Sequence, residues 1–470
     1  MKTTVIRSTW MDGYGCRLDC QPYLGGALET KMLLETLPLR KDKLHTLTAG
    51  FDGGIYNGPK FPRTYVESLE FGVPFLGGSS MLRADLSDLS LLSRKQAESR
   101  LLRHLELKPG MSLISCSGTI GRMVYVRNDM AGMWSSQHIL KIVPNPSRIA
   151  SGYLYAYLNS RFGIPLVVSG TYGSIIQSIG PAHIVDLPVP RLGDVLESQI
   201  HCLIENAANL RTIAIDRKRE AVTAFLRLCS IPLAHPIDSY PRPLIGFAMS
   251  HQLSQRMDGT FFIDPCAEAR SAFDAAGERC DSKSLGEISE VFIPTIFKRI
   301  YAGDPEQGFP YITGADVFCV QPKSDQYLKR AVSHEHRLLL EYGMIVIHEA
   351  GQRYGLLGRS VMVGRTLSGF ACTNNMVRLV PHDPDDAGYI FAALSSEYGL
   401  RLLKREAAGS SIPHLDAARV AAIRIPWPTE QVRSEIAALA HEARESWDRA
   451  DELEKEADAV LVNSLTMTTD

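Results

Sequence analysis

FPRTYVESLEFGVPFLGGSSM, residues 61–81, is answered 236 positions later by FKRIYAGDPEQGFPYITGADV, residues 297–317. Arg63, Tyr65, Gly72, Pro74 and Gly78 fall on Arg299, Tyr301, Gly308, Pro310 and Gly314. The same register pairs GYLYAYLNSRFG from Gly152 with GYIFAALSSEYG from Gly388, and runs on to Leu203 and Leu439. Solenoid units recur every ~20 to 50 residues, so a match this long is a duplicated domain. Two equivalent units in one chain suggest two equivalent roles, such as reading two halves of a target.

The 470 residues are 45% hydrophobic and 22% charged, ordinary globular material with room for two to four domains. The amino-terminal stretch has no apolar run of signal-peptide length, and no segment of about 18 apolar residues is present, so a cytoplasmic protein without membrane contact is expected. The nine cysteines are scattered. Cys16 and Cys20 form a lone C-x-x-x-C with no second ligand pair, which reads as reduced thiols and no metal site.

Net charge is −2 but uneven: residues 1–190 carry +6, 191–240 carry 0, 241–427 carry −1 and 428–470 carry −7. Without its acidic tail the chain is basic by about five charges, which permits nucleic-acid binding.

Each copy ends in a long helix. After LPVPRLGD, Leu196, Ile200, Leu203, Ala207, Leu210, Ala214, Arg217, Ala221, Ala224 and Leu228 are spaced alternately by four and three, with Arg217 the one polar member. After IRIPWPTE the same spacing runs through Val432, Ile436, Leu439, Ala443, Ser446, Ala450, Leu453, Ala457 and Val460. Both are heptad seams. A helix of nearly 35 residues spans roughly 50 Å, more than a domain of this size needs. An antiparallel pair of them would hold the copies at a fixed separation and relate them by an approximate two-fold axis, as duplex half-sites are related.

The segments between the helices read as short strands and turns with a few helices, an α+β organisation without the regular alternation of a parallel Rossmann sheet. MSLISCSGTIGRMVYVRN, residues 111–128, predicts a hairpin; MIVIHEAGQRYGLLGRSVMV, residues 344–363, predicts another with one extra residue. The predicted divisions are a recognition domain at 1–190, a spacer helix at 191–235, a second recognition domain at 236–427 and a second spacer helix at 428–470.

The ordered series PFLGGSS, SGTIG, SSQH, YLYAYLNS, GTYGS, IVDLPVP and heptad helix, present twice from about Ile55 to Leu465, resembles the specificity subunit of type I restriction-modification systems. No single one of these motifs is diagnostic; their order and duplication are. The first 54 residues lack a clear counterpart of the usual opening, and HEAGQRYG stands in copy two where SGTIG is usual. The resemblance implies tandem target recognition domains, an antiparallel coiled-coil spacer, and double-stranded DNA as ligand. It also implies two DNA methyltransferase subunits as partners, with a restriction or defence nuclease as a further one. No cofactor is expected in this chain; S-adenosylmethionine belongs to the partner methyltransferase.

A split site needs two modules that place polar side chains against base edges, while most other contacts go to phosphates. The candidates in copy one are Arg63, Tyr65, Thr119, Arg122, Tyr172 and Ser174. In copy two they are Lys298, Arg299, Tyr301, Gln352, Arg353, Ser410 and Ser411. Residues shared by both copies also fit a scaffold role, since base readers of different targets should differ. Partner-helix packing is expected from Leu196, Ile200, Leu203, Leu210, Leu228, Val432, Ile436, Leu439, Leu453 and Val460. No catalytic residue is assigned: there is no P-loop, no G-x-G-x-x-G after a strand and no G-x-S-x-G elbow, and HEAGQ lacks the second histidine of a zincin helix. The competing reading is a two-domain protein-binding scaffold that does not read bases.

Overall fold

The computed structural model describes residues 23, 25–117, 120–170, 178–240, 243–253 and 256–467. Thr119, Tyr172 and Ser174, together with Cys16, Cys20, Gly118 and Gly173, lie outside the described residues. The chain forms two compact units, Met1–Thr212 with Arg449–Asp470, and Ile213–Asp448. Each unit therefore takes a stretch of both long helices.

In the first unit, helix α1 (Ala27–Thr36) precedes β1 (Lys41–Lys43). Strands β2 (Ile55–Tyr56), β3 (Tyr65–Val66), β4 (Gly72–Leu76), β5 (Leu91–Ser93), β6 (Ser112–Ser115), β7 (Met123–Tyr125), β8 (Trp134–Ser135) and β9 (Ile139–Ile142) follow. Then come helices α2 (Ser151–Leu158) and α3 (Gly163–Ser169), strand β10 (Pro188–Pro190) and the long helix α4 (Asp194–Leu228). The strands form sheets of order β2-β9-β6-β7 and β3-β5-β4-β8, plus the pair β1-β10.

The second unit has α5 (Asp264–Cys280) and β11 (Ser282–Ser284), then β12 (Ser289–Phe292), β13 (Gly308–Ile312), β14 (Tyr327–Lys329), β15 (Ile345–His348), β16 (Ser360–Met362), β17 (Ala371–Cys372) and β18 (Met376–Pro381). Helices α6 (Ala387–Ser395) and α7 (Glu397–Glu406), strand β19 (Arg424–Pro426) and the long helix α8 (Glu430–Thr466) complete it. Its sheets run β12-β18-β15-β16 and β14-β13-β17, with the pair β11-β19, the same order strand for strand. Where β3 pairs Tyr65 with Leu92, the second unit keeps the equivalent bridge Tyr301 to Leu328.

Two features differ from the sequence reading. The equivalence starts earlier than Ile55, because α1 with β1 and α5 with β11 occupy the same place in each unit. The hairpin in copy two is four residues longer rather than one: residues 116–122 connect β6 to β7, and residues 349–359 connect β15 to β16. A shorter segment upstream of β15 offsets three of the four, so the flanking register hides the insertion.

Each unit seats its long helix through a glycine. An added Cβ at Gly152 would lie 2.9 Å from the His201 carbonyl oxygen on α4, and at Gly388 it would lie 2.6 Å from that of Ala437 on α8. Beside these contacts, the buried hydroxyls of Tyr153 and Tyr389 donate to the carbonyls of Pro190 and Pro426, the last residues before the turn into each long helix. The backbone oxygens at both helix entries are thus tied down from the core.

Half of each heptad seam is buried where the spacing puts it and half is displaced by one residue. Ile200, Ala207, Ala214 and Ala221 on α4, and Ile436, Ala443, Ala450 and Ala457 on α8, are buried. Leu203, Leu210, Leu439 and Val460 are only partly buried, whereas their neighbours Ile204, Arg211, Ala440 and Leu461 are buried, as is Trp447. Leu453 is buried, and Leu196, Leu228 and Val432 are half-buried. The rotation arises because each helix serves two partners at once. Ile200, Ile204 and Ala208 also pack into the core formed by α2, α3 and the first sheet, which widens the apolar face beyond a narrow a/d stripe.

In the first unit, Ala207 clusters with Ala450 and Leu453, and buried Arg211 pairs with Asp451 at 2.8 Å and with Glu454. In the second, Arg217 meets Glu442 at 3.0 Å and Arg227 meets Glu435 at 3.6 Å, both exposed.

Candidate nucleic-acid interface

Strand pairing concentrates one polar and aromatic cluster in each unit. In the first, β4 carries Phe75, on which the Arg63 guanidinium sits 5.2 Å from the ring centroid. Phe61 and Tyr65 approach the same ring edge-on at 6.2 and 6.4 Å. In the second, β13 carries Tyr311, with Arg299 at 5.8 Å and with Phe297 and Tyr301 edge-on at 6.4 and 6.1 Å. All four equivalent positions repeat in kind, and Arg63, Tyr65, Lys298, Arg299 and Tyr301 all remain exposed. An arginine laid on an aromatic face keeps most of its donors available to a phosphate or base while its stem is held in place.

The other candidates disperse. Arg122 stands half-buried at the start of β7, its amide donating to Ser115 Oγ at 3.0 Å. Gln352 donates from Nε2 to the Ser411 carbonyl at 3.0 Å, bringing the β15–β16 connection against the exposed residues Ser410 and Ser411. Arg353 turns inward: its two amino groups donate to the carbonyls of Lys404 and Ala407, closing the end of α7, and burial lowers its pKa. Glu349 and His414 join the same two loops at 2.8 Å.

Sequence reasoning missed the contacts that dock each long helix on its own sheet. The Thr212 hydroxyl donates to Asp129 at 3.0 Å, and Asp129 is held bidentate by Arg127 at 2.8 Å. Those partners keep the Asp129 carboxyl below its usual range against the opposing effect of burial, the largest single influence. In the second unit Asp448, fully buried, accepts from the Thr366 hydroxyl at 2.8 Å, from the Arg365 amide at 2.8 Å and from Arg444 at 3.0 Å.

Among the described residues, no group of three or more His, Cys, Asp or Glu is placed to hold a metal ion, and no helix is long and apolar enough to cross a membrane.

No protein-family model and no curated relative matches the sequence. Among solved structures, the chain is similar to the type-I restriction-modification system S subunit from M. genitalium, at 14% identity and TM-score 0.37, covering 92% of this chain and 96% of that one. It is also similar to the HsdS subunit from Thermoanaerobacter tengcongensis, at 13% identity and TM-score 0.27, covering 91% and 97%. A third similar chain, at 14% identity and TM-score 0.28 and covering 92% and 98%, comes from a structure described for the complex assembly and conformational transition of the type I R-M system.

Proposed function

We propose that this chain is a non-catalytic, sequence-specific DNA-recognition subunit that directs a separate adenine methyltransferase, together with a restriction or defence nuclease, to a bipartite DNA site. The observation that carries the reading is the recurrence of one strand order with one exposed arginine, tyrosine and aromatic cluster, joined to loops that differ between the units. Equivalent scaffolds with unlike loops suit two halves of an asymmetric target. Arg63, Tyr65, Lys298, Arg299 and Tyr301 serve phosphate or base contacts, Arg122, Gln352, Ser410 and Ser411 accompany them, Thr119, Tyr172 and Ser174 are proposed for the same role from the sequence alone, and Arg353 positions its loop.

In this reading α4 and α8 pair as an antiparallel coiled coil and set the distance between the two half-sites. The descending order of the Arg227–Glu435 and Arg217–Glu442 pairs supports antiparallel packing. Two methyltransferase subunits dock on this frame, and the methyl donor and base-flipping pocket belong to them. The test is a gel shift of the chain with its methyltransferase subunit across unrelated duplexes at fixed salt. Preference for one duplex is expected; equal retention of all of them is the behaviour of a protein scaffold and contradicts the reading.

A further inference from the structure

In each unit the chain crosses from one sheet to the other through a three-residue turn, residues 136–138 after β8 and residues 373–375 after β17. Both turns are built alike. The Ser136 amide donates to the Leu76 carbonyl at 3.0 Å and the Thr373 amide to the Ile312 carbonyl at 3.2 Å, where two parallel strands leave their sheet side by side. From beneath, a cation with no solvent exposure holds each turn. Lys141 Nζ donates to the carbonyls of Ser136 at 3.0 Å and Ile139 at 2.9 Å, and Arg378 Nη2 donates to those of Cys372 at 3.2 Å and Thr373 at 3.1 Å.

Burying a cation without a carboxylate partner is costly. Arg378 even leaves Nε and Nη1 without a hydrogen-bond partner. Both units nevertheless keep a cation at this position, so the shape of the turn is what the fold holds constant. The side chains on top are what change. Gln137 and His138 crown the first turn, and Asn374 and Asn375 the second, with the first of each pair half-buried and the second exposed. In the first unit they also extend the exposed cluster. Arg63 Nη2 donates to Gln137 Oε1 at 3.1 Å, Gln137 Nε2 lies 3.1 Å from His138 Nε2, and His138 Nδ1 lies 2.8 Å from Ser117 Oγ.

We infer that Gln137 and His138 in one unit, and Asn374 and Asn375 in the other, are specificity determinants that read base edges of duplex DNA, and that Lys141 and Arg378 are positioning residues that hold them in place. The inference rests on the proposed DNA-recognition function and deepens it. Gln and Asn amides can donate and accept together toward one base, the pattern an adenine edge presents in the major groove, while a differing pair on a constant frame lets each unit choose its own bases.

The test is selection of a randomised duplex library by the full-length chain with its methyltransferase subunit, followed by sequencing. The wild type should enrich a two-part motif. Gln137→Ala with His138→Ala should weaken discrimination about tenfold or more at positions in one part only, and Asn374→Ala with Asn375→Ala in the other part only. Lys141→Met should blur the same part as the Gln137 and His138 changes, with Lys141→Arg, the cation type of the second unit, restoring it. Unaltered motifs in both alanine pairs, or a uniform loss of affinity without a change in motif, overturn the assignment. A wild type that enriches no motif overturns the DNA-recognition function itself, and this assignment with it.

Discussion

The Thr212 hydroxyl donates to the Asp129 carboxylate at 3.0 Å, and in the second unit the equivalent contact is made with the two residue types exchanged, Thr366 donating to Asp448 at 2.8 Å. The bond between helix and loop is preserved although neither position keeps its residue. A hydrogen bond to a charged acceptor contributes about 1.5 to 3 kcal/mol. Thr212→Val should therefore destabilise the first unit by about that amount in urea unfolding. Asp448→Ala should cost more, on the order of 3 to 5 kcal/mol, because it removes one fully buried acceptor shared by the Thr366 hydroxyl, the Arg365 amide and the Arg444 guanidinium. Equal, small effects would mean that these contacts do not hold the helices on their sheets.

Arg211 is the buried ion-pair centre of the first unit, with Asp451 and Glu454 as partners. Removing Arg211 withdraws the buried guanidinium that both carboxylates share. Arg211→Ala should cost about 3 to 5 kcal/mol, whereas Arg217→Ala and Arg227→Ala, whose pairs are exposed, should leave the unfolding midpoint nearly unchanged. Chemical denaturation of the three variants at two salt concentrations separates the cases, with only the exposed pairs expected to weaken as salt rises.

Gly388 tests how closely α6 must approach α8. A Cβ there would lie 2.6 Å from the Ala437 carbonyl oxygen, which belongs to backbone and cannot swing aside. Gly388→Ala should destabilise the second unit by about 1 to 3 kcal/mol despite the better helix propensity of alanine. A neutral or stabilising result in thermal unfolding would show that the helices have room to part.

Burial lowers the Lys141 amine to about 7, with the nearby Cys116 thiol acting in the opposite direction. Because the folded pKa lies below the unfolded one, the cost of burying the charge is fully present below pH 7 and fades as pH rises from 7 toward 10.5. Wild-type stability should therefore improve relative to Lys141→Met across that window. Urea midpoints at about pH 6.5, 8 and 9.5 check the sign; a difference that stays flat or shrinks with pH contradicts it.

The duplication was legible because Arg63, Tyr65, Gly72 and Pro74 serve a cluster and a strand geometry that tolerate little change, so they recur as identities. The α1 and α5 equivalence was not, because a packing helix needs only an apolar face, and Ala27 and Leu34 meet that need as well as Ala269, Phe273 and Ala276 do. The seam was half legible. Leu203 is followed by Ile204 and Leu439 by Ala440, so both registers satisfy the apolar pattern, and only packing against each unit's own core selects the later one. The exchanged Thr and Asp contacts left no identity to find, and the buried cations Lys141 and Arg378 sit in strands whose sequence reads as exposed at those points.

On the proposed function, two equivalent modules that read two separate parts of one DNA site leave a divided signature on a methylated genome. Methylome sequencing of cells expressing the chain with its methyltransferase subunit reads that signature directly, alongside a chimera in which residues 1–190 are replaced by those of a homologue with another target. A two-part methylated motif is expected, of which the chimera changes one part and keeps the other. A single continuous motif, or a chimera that changes both parts together, is incompatible with two independent reading modules.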